Sequence, residues 1–227
     1  MTNAKLACDK RVCDRGALIE EFRSFVAAPS FPCVGAKSAL TRKRIEFEVC
    51  DRLGSSDSAE ILRDRLARFS ARHPDPGTAP ISFVAIFRDD IVHEDDFHRR
   101  LWMQLQAIHD RDIQEHPWAP DVSDDPGSAN FSFSVASRAF FVVGLHPRSS
   151  RLARRAPRPT LVFNFHGQFE ALRASGRYGK LEAAIRERDV ALQGYINPVL
   201  TRFGDTSEAF QYSGRAKGGC PFQARSR

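Results

Sequence analysis

Two apolar runs, separated by a short arginine-rich segment, constrain this chain more than any other feature. The runs, residues 140–145 and 160–165, are rich in β-forming residues, and each is followed by a histidine, His146 or His166. Short continuous apolar runs of this kind are typical of buried strands. The segment between them, residues 148–158, contains five arginines and no acidic residue. The pattern predicts two neighbouring strands with a basic connection.

Length and composition predict one folded domain. At 227 residues the chain is long enough for one sizeable core, and a second domain would have to be small. Hydrophobic residues make up 42% of the chain and 18 residues are phenylalanine, so disorder over most of the length is not expected. We expect a flexible N-terminal segment over residues 1–12 and a single domain over residues 13–227.

Helical periodicity of the apolar residues predicts several amphipathic helices. The first should be capped by Asp14 and end at Pro29. Further helices are predicted over 55–71, 94–110, 168–176 and 180–193. Residues 33–50 are compatible with either a short strand or a second helix, residues 116–130 with a long binding loop, and Asn197-Pro198 with the start of an irregular tail.

Strands are predicted over residues 81–87, 131–145 and 160–165. The 131–145 segment should form a hairpin with its turn near Ser137. Strands interspersed with amphipathic helices predict an α+β fold, with a mainly antiparallel or mixed sheet packed against helices.

The basic composition favours an anionic partner. The formal net charge is +6, but acidic and basic residues alternate outside the arginine segment, which indicates a local site and disfavours nucleic-acid or membrane binding. We find no apolar run long enough to span a bilayer and no secretory signal, and expect a cytoplasmic protein. The five cysteines are irregularly spaced, so neither a disulfide framework nor a structural zinc site is expected.

The residue types in and around the two strands suit an acidic, planar, apolar ligand such as haem with its propionates. Arginine side chains bind carboxylates in a bidentate manner, and imidazole or thiolate groups can hold iron. Each feature also has a structural interpretation. The arginine segment can be a solvated loop, histidines at strand ends are often hydrogen-bonded core residues, and Cys33 and Cys220 can be small buried hydrophobes.

Several motifs in this order resemble the YqcI/YcgG family over about residues 80–223. They include LWMQLQAIHDRD, PWAPDVSDDP, AFFVVGLHPRSSRLARR, PTLVFNFHGQFEALR, IRERDVALQG, QYSGR and the closing CPF, with Phe31-Pro32-Cys33 as an upstream element. The resemblance is closest to a branch that includes haem-dependent N-hydroxylases of arginine or related guanidines, in antibiotic biosynthesis and similar specialised metabolism. Phe165 departs from the FNPH or FNAH pattern of the family, so the pocket there is expected to differ.

The resemblance implies roles for two groups of residues. The cofactor-binding group consists of His146, His166, Cys33, Arg148, Ser150, Arg151, Arg154 and Arg155. Within it, His146, His166 and Cys33 are alternative axial ligands of the haem iron, with the histidines ranked first, and the arginines would pair with the propionates. The catalytic group consists of Asn164, Gln168 and Glu170, and either Glu170 or an aspartate of residues 121–125 would bind the substrate guanidinium.

The predicted function is therefore N-hydroxylation of L-arginine or a related guanidino or amino compound by a haem b enzyme. Its other partners would be dioxygen or hydrogen peroxide, with an electron donor if dioxygen is the oxidant. Two alternatives from other classes are a non-catalytic haem- or anion-binding sensor and a nucleic-acid-binding module that uses the arginine segment.

Overall fold

The computed structural model describes residues 2–195, 206–215 and 220–225, with side chains from residue 14 onwards. The predicted tail start at Asn197-Pro198 lies outside the described residues. The helices are α1 (Thr2–Ala27), α2 (Val34–Thr41), α3 (Ser56–Arg72), α4 (Glu94–Asp112), α5 (His166–Ala174), α6 (Tyr178–Gln193) and the short α7 (Ala209–Tyr212). The strands are β1 (Ile45–Cys50), β2 (Ser82–Phe87), β3 (Phe133–Val135), β4 (Arg138–Leu145) and β5 (Thr160–Phe165).

The five strands form one mixed sheet in the order β1-β2-β5-β4-β3. β1 pairs with β2 in parallel, and the other three pairings are antiparallel. In the central pair, Phe140 lies opposite Phe165 and Leu145 lies opposite Thr160. The predicted α+β class with a mixed sheet is confirmed.

One side of the sheet, which we call the closed face, is filled by aromatic and aliphatic side chains. Phe163, Phe165 and Phe140 point to this side and pack against α3, α4 and residues of the 206–225 region. The rings of Phe69 in α3 and Phe165 stack with centroids 4.8 Å apart. These side chains alternate with those of the opposite side, as residues of a strand must.

The other side, which we call the cavity face, is covered less completely. Val84, Ile86 and Leu145 point to it and pack with Phe22 and Val26 of α1. The helices α2, α5 and α6 complete the cover over the central strands, with space left beneath them. The candidate site therefore lies on the cavity face, beneath the covering helices.

Local sequence signals explain most of the element boundaries. Ser55 caps α3 by accepting a hydrogen bond from the Ser58 N–H, and three acidic residues occupy the first turn of α4, where the helix dipole favours negative charge. Gly194 ends α6 with φ of 83°. The hairpin turn is formed by Ala136 and Ser137, both with positive φ. The predicted helices over 55–71, 94–110 and 180–193 and the hairpin are confirmed.

One boundary prediction is wrong, and one pair of open alternatives is settled. Asp14 does not cap the first helix, because α1 already extends upstream of it and its carboxylate pairs with Arg88. Residues 33–50 contain both of the alternatives, α2 followed by the edge strand β1, which was not among the predicted sheet strands. Among the described residues, no helix is long and apolar enough to cross a membrane.

Candidate functional site

An apolar cavity of about 310 Å³ lies between the cavity face of the sheet and the helices above it. Its floor includes Val84 of β2, Val143 of β4 and Val162 of β5. Its walls come from α1, the turn at residues 31–33, α2, α5 and α6, and most of the lining side chains are apolar. Such a cavity with a few polar groups at its boundary is typical of a cofactor or small-molecule site.

Cys33 contributes its thiol to the wall of the apolar cavity, immediately before α2. Its Sγ accepts a hydrogen bond from the N–H of Ala36 at 3.4 Å and thereby caps the helix. Burial raises the pKa of the thiol, and the backbone N–H groups of Ala36 and Gly35 act in the opposite direction. The residue is half-buried. A sulfur atom at a cavity wall, supported by backbone donors, can act as a metal ligand once deprotonated.

Arg151 is the arginine of the basic segment that combines deep burial with unused donors. Only 5% of the residue is exposed, and its Nη2 donates to the carboxylate of Asp189 in α6. Both residues line the apolar cavity. Nε and Nη1 of Arg151 are buried and make no hydrogen bond within the described part of the chain. Buried donors are normally paired, so these two groups indicate room for an anionic ligand group.

Arg154 also lines the cavity, but its contacts are structural. Nη1 donates to the carbonyl oxygens of Gly144 and Tyr212, each at 3.1 Å. Burial, reinforced by the neighbouring charge of Arg151, lowers the pKa of Arg154 to about 10. This side chain ties β4 to the residue that ends α7.

The other members of the basic segment point elsewhere. Arg148, Ser150 and Arg155 are exposed and do not line the apolar cavity. Ser150 donates through its N–H and its hydroxyl to one carboxylate oxygen of Glu94, and Arg155 donates to the carbonyl of Ser149. The structure therefore brings only Arg151 and Arg154 to the cavity with Cys33.

His146 lies on the closed side of the sheet, away from the apolar cavity. Its ring stacks on Phe97 of α4 with centroids 4.2 Å apart, and only 1% of the residue is exposed. Burial lowers its pKa to about 4, and nearby Arg154 adds to this effect while Glu94 opposes it. A neutral imidazole packed against a phenyl ring fits the structural interpretation of this histidine.

His166 lies at the opposite end of the central strands. Because β4 and β5 are antiparallel, the residues that follow them are separated by roughly 20 Å along the strand direction. His166 lines a second cavity, of about 200 Å³, which we call the polar cavity. Its Nδ1 lies 3.5 Å from Oε2 of Glu208. The two histidines thus belong to different parts of the molecule.

Glu208 is the most deeply buried carboxylate of the polar cavity, with 4% of the residue exposed. Its Oε1 accepts hydrogen bonds from the hydroxyl groups of Ser132 and Tyr212. Burial raises the pKa of Glu208, and the nearby imidazole of His166 and the hydroxyl groups of Tyr212 and Ser132 oppose that shift. Gln211, three residues later, lines both the polar and the apolar cavity.

Glu170 lies at the exposed side of the polar cavity together with Arg173. Their side chains form an ion pair at 3.4 Å, and Oε1 of Glu170 is 3.9 Å from Nε2 of His166. The loop over residues 116–130 reaches this cavity through Ala129 and Asn130. Its aspartates within residues 121–125 are exposed and line neither cavity.

Asn164 and Gln168 use their amides to hold the backbone together. Asn164 accepts from the Ser82 hydroxyl at 2.7 Å and donates to the Phe141 carbonyl. Gln168 accepts from the Ile81 N–H and donates to the Ala79 carbonyl at 2.7 Å. Both side chains also line the apolar cavity. These hydrogen bonds explain why amide side chains occur at both positions, and the catalytic role of the two residues stays a prediction.

Sequence reasoning missed the residues that complete the two cavities. Asp189, which pairs with Arg151, lies within the motif IRERDVALQG, and Tyr212 lies within QYSGR. Glu208 precedes Tyr212 by four residues, the spacing that places two side chains on one side of a helical turn. Asp189 and Tyr212 lie within motifs that the sequence analysis had singled out. The partners of these residues became visible only in the folded structure.

The described fold and cavities can be compared with known proteins. The chain is similar to a Streptomyces lavendulae protein named "Putative N(omega)-hydroxy-L-arginine synthase DcsA", with 26% identity over 196 residues that cover 77% of this chain and 68% of the relative. No solved structure matches the chain significantly. The sequence profile of the YqcI/YcgG family matches residues 22–223, which include both cavities and all the strands. The chain therefore belongs to the YqcI/YcgG family.

Proposed function

We propose that this protein is a haem-dependent N-hydroxylase of L-arginine or a closely related guanidino compound. The observation that carries the proposal is the apolar cavity, which is lined by Cys33 and by Arg151, and Nε and Nη1 of Arg151 have no hydrogen-bond partner among the described residues. The name of the Streptomyces lavendulae relative, which refers to a hydroxylated arginine, supports the reaction and the substrate class.

The side chains that line the apolar cavity have the chemistry that a haem requires, a thiol for the iron and a guanidinium group for a propionate. Cys33 would hold the haem iron, because its sulfur lies in the cavity wall, whereas His146 stacks on Phe97 on the other side of the sheet and His166 lines the polar cavity. Arg151 would pair with a propionate through Nε and Nη1, which have no other hydrogen-bond partner among the described residues. Bound haem would supply the oxidising chemistry that protein side chains lack.

The side chains and backbone of the protein itself would do two things. They would favour the thiolate form of Cys33 and keep water out of the cavity. The N–H of Ala36 donates to the Cys33 sulfur, and such bonds favour the thiolate over the thiol. Coordination to a metal would complete the deprotonation that burial otherwise opposes. The valine and phenylalanine side chains of the cavity exclude water from the reacting atoms.

The overall reaction constrains the partners. Hydroxylation inserts one oxygen atom into an N–H bond of the substrate. With dioxygen as oxidant, two electrons and two protons from a donor reduce the second oxygen atom to water. With hydrogen peroxide, the same product forms with water and no electron donor.

Absorption spectroscopy of the purified protein tests the cofactor and its ligand. After growth with a haem precursor, the wild-type protein should show a Soret band, and its reduced carbon monoxide complex the red shift typical of thiolate ligation. Cys33→Ser should lose that shift, because serine can still cap α2 but cannot supply a thiolate. Cys220→Ser is the matched control and should behave as wild type.

A colourless protein that shows no saturable spectral change with haemin would refute the cofactor. If Cys33→Ser shows a normal spectrum and His166→Ala loses haem, the iron ligand is His166 and not Cys33. Mass spectrometry of L-arginine incubated with the haem protein, an electron donor and air, or with peroxide, should detect the gain of one oxygen atom. Haem binding without that product would favour the sensor alternative.

A further inference from the structure

The polar cavity has a charge distribution that suits one kind of small molecule. At its buried end, Glu208 has Oε1 occupied by the hydroxyl groups of Ser132 and Tyr212. The second oxygen, Oε2, is buried and makes no hydrogen bond within the described residues, with His166 Nδ1 at 3.5 Å as the neighbouring polar atom. A buried carboxylate oxygen without a donor is a site for a cation.

The exposed end of the same cavity carries charges of both signs. Glu170 and Arg173 are ion-paired there, with 52% and 45% of their side chains exposed. A carboxylate next to a guanidinium group matches an α-ammonium group next to an α-carboxylate. Charges of this kind at the rim of a site contribute orientation more than affinity.

The size and the position of the cavity restrict its ligand further. Its volume of about 200 Å³ suits a single amino acid and not a peptide. Gln211 lines this cavity and the apolar cavity, so a bound ligand would lie next to the proposed haem. The three features together describe a cationic side chain directed inwards and an amino-acid head group at the surface.

We propose that the polar cavity is the binding site of the amino-acid substrate. The guanidinium group pairs with Oε2 of Glu208, and the α-ammonium and α-carboxylate groups pair with Glu170 and Arg173. This inference rests on the proposed function and names the site at which its substrate binds. It also assigns the guanidinium contact to Glu208, in place of Glu170 or the aspartates of the 121–125 segment.

Calorimetric titration of the haem-loaded protein with L-arginine tests the inference. Glu208→Gln retains the size of the side chain and one oxygen that can accept from Ser132 and Tyr212, but removes the charge, and should weaken L-arginine binding by at least about tenfold. Asp124→Asn is the control, because this exposed carboxylate lies in the predicted loop but outside the polar cavity. It should bind L-arginine as the wild type does.

Two analogues separate the ends of the site. Citrulline, which lacks the positive charge, should bind wild type weakly and be little affected by Glu208→Gln. Agmatine, which lacks the α-carboxylate, should be insensitive to Arg173→Gln, whereas L-arginine binding should weaken a few-fold. Since Arg173 is exposed, this second variant keeps the inference testable if Glu208→Gln fails to fold.

The outcomes distinguish the inference from the proposed function. Unchanged L-arginine affinity in Glu208→Gln, with the Soret band and turnover retained, would overturn the site while leaving the function in place. A comparable loss in Asp124→Asn would overturn it in favour of the loop. Absence of a Soret band in wild type would refute the proposed function, and charge-dependent binding of L-arginine would still be measurable by calorimetry.

Discussion

The two faces of the central sheet solve the same packing problem in opposite ways. The closed face is filled by side chains, such as the stacked pair Phe69 and Phe165. The cavity face carries smaller side chains over its centre, including Val84, Val143 and Val162, and leaves about 310 Å³ between them and the covering helices. Protein interiors normally tolerate few voids larger than a water molecule. A space of this size on one face only indicates a ligand site.

The two faces also differ in what their residues contribute, stability on the closed face and ligand binding on the cavity face. Aromatic and aliphatic side chains of the closed face pack tightly against one another, whereas Arg151 on the cavity side has two buried nitrogens without a hydrogen-bond partner among the described residues. Substitutions on the first face should therefore change the free energy of unfolding. Substitutions on the second should mainly change ligand binding.

The largest difference is expected for phenylalanine truncation on the two faces. Phe165→Ala removes a fully packed ring from the closed face and should lower the free energy of unfolding by about 3–5 kcal/mol. Phe141→Ala, at a half-buried ring that lines the apolar cavity, should cost less than about 2 kcal/mol. Urea unfolding of the haem-free proteins measures both values. Equal losses would mean that the cavity face is as tightly packed as the closed face.

A second difference concerns charge on the closed side. The pKa of His146 is about 4 in the folded protein, against about 6.5 when unfolded. The unfolded chain therefore binds the proton more tightly, and stability is lost as pH falls from about 6.5 to about 4. The loss should be on the order of 3 kcal/mol.

Carboxylates also titrate between about pH 6.5 and pH 4, so the contribution of His146 to the pH dependence of stability is measured by replacing its imidazole. His146→Leu should lose distinctly less stability than wild type between pH 7 and pH 4, as measured by urea unfolding at each pH. If both proteins lose the same amount, His146 is not held in its neutral form by the closed side.

The smallest effect concerns added volume. A Cβ atom at Gly144, on the closed face, would lie 2.7 Å from side-chain atoms of Leu101 and Phe97 and 2.8 Å from the backbone oxygen of Tyr212. Gly144→Ala should therefore cost about 1–3 kcal/mol. Val162→Ile adds one methylene on the cavity face and should cost less than about 1 kcal/mol while reducing uptake of the proposed cofactor. Thermal unfolding measures both costs. If Val162→Ile destabilises the protein more than Gly144→Ala does, the cavity face is not the more loosely packed of the two.

Local patterns in the sequence predicted much of the fold because they report local physics. Helical periodicity identified α3, α4 and α6, and the serine-containing turn identified the hairpin. The edge strand β1 stayed an alternative to a helix although its sequence, IEFEVC, alternates apolar and acidic residues as a half-buried strand does, because the short helix α2 lies only a few residues before it. Its place beside β2 depends on a parallel pairing that no local pattern specifies.

The site was harder to predict because it depends on strand direction. His146 and His166 follow two adjacent strands, and similar sequence positions suggested a common cleft. The antiparallel pairing places them at opposite ends of the sheet, and the register directs His146 to the closed side. Cys33 and Arg151 are distant in sequence but share the apolar cavity, as α2 and the segment after β4 cover the same face.

Gln211 gives the two cavities a thermodynamic connection. It is buried, and its side chain contributes to the wall of both spaces. Any ligand that changes the position of this side chain on entering one cavity changes the shape of the other. By linkage, the factor by which one ligand alters the affinity of the second equals the factor in the reverse direction. The side chain of Gln211 therefore provides a route by which binding in one cavity would be coupled to binding in the other.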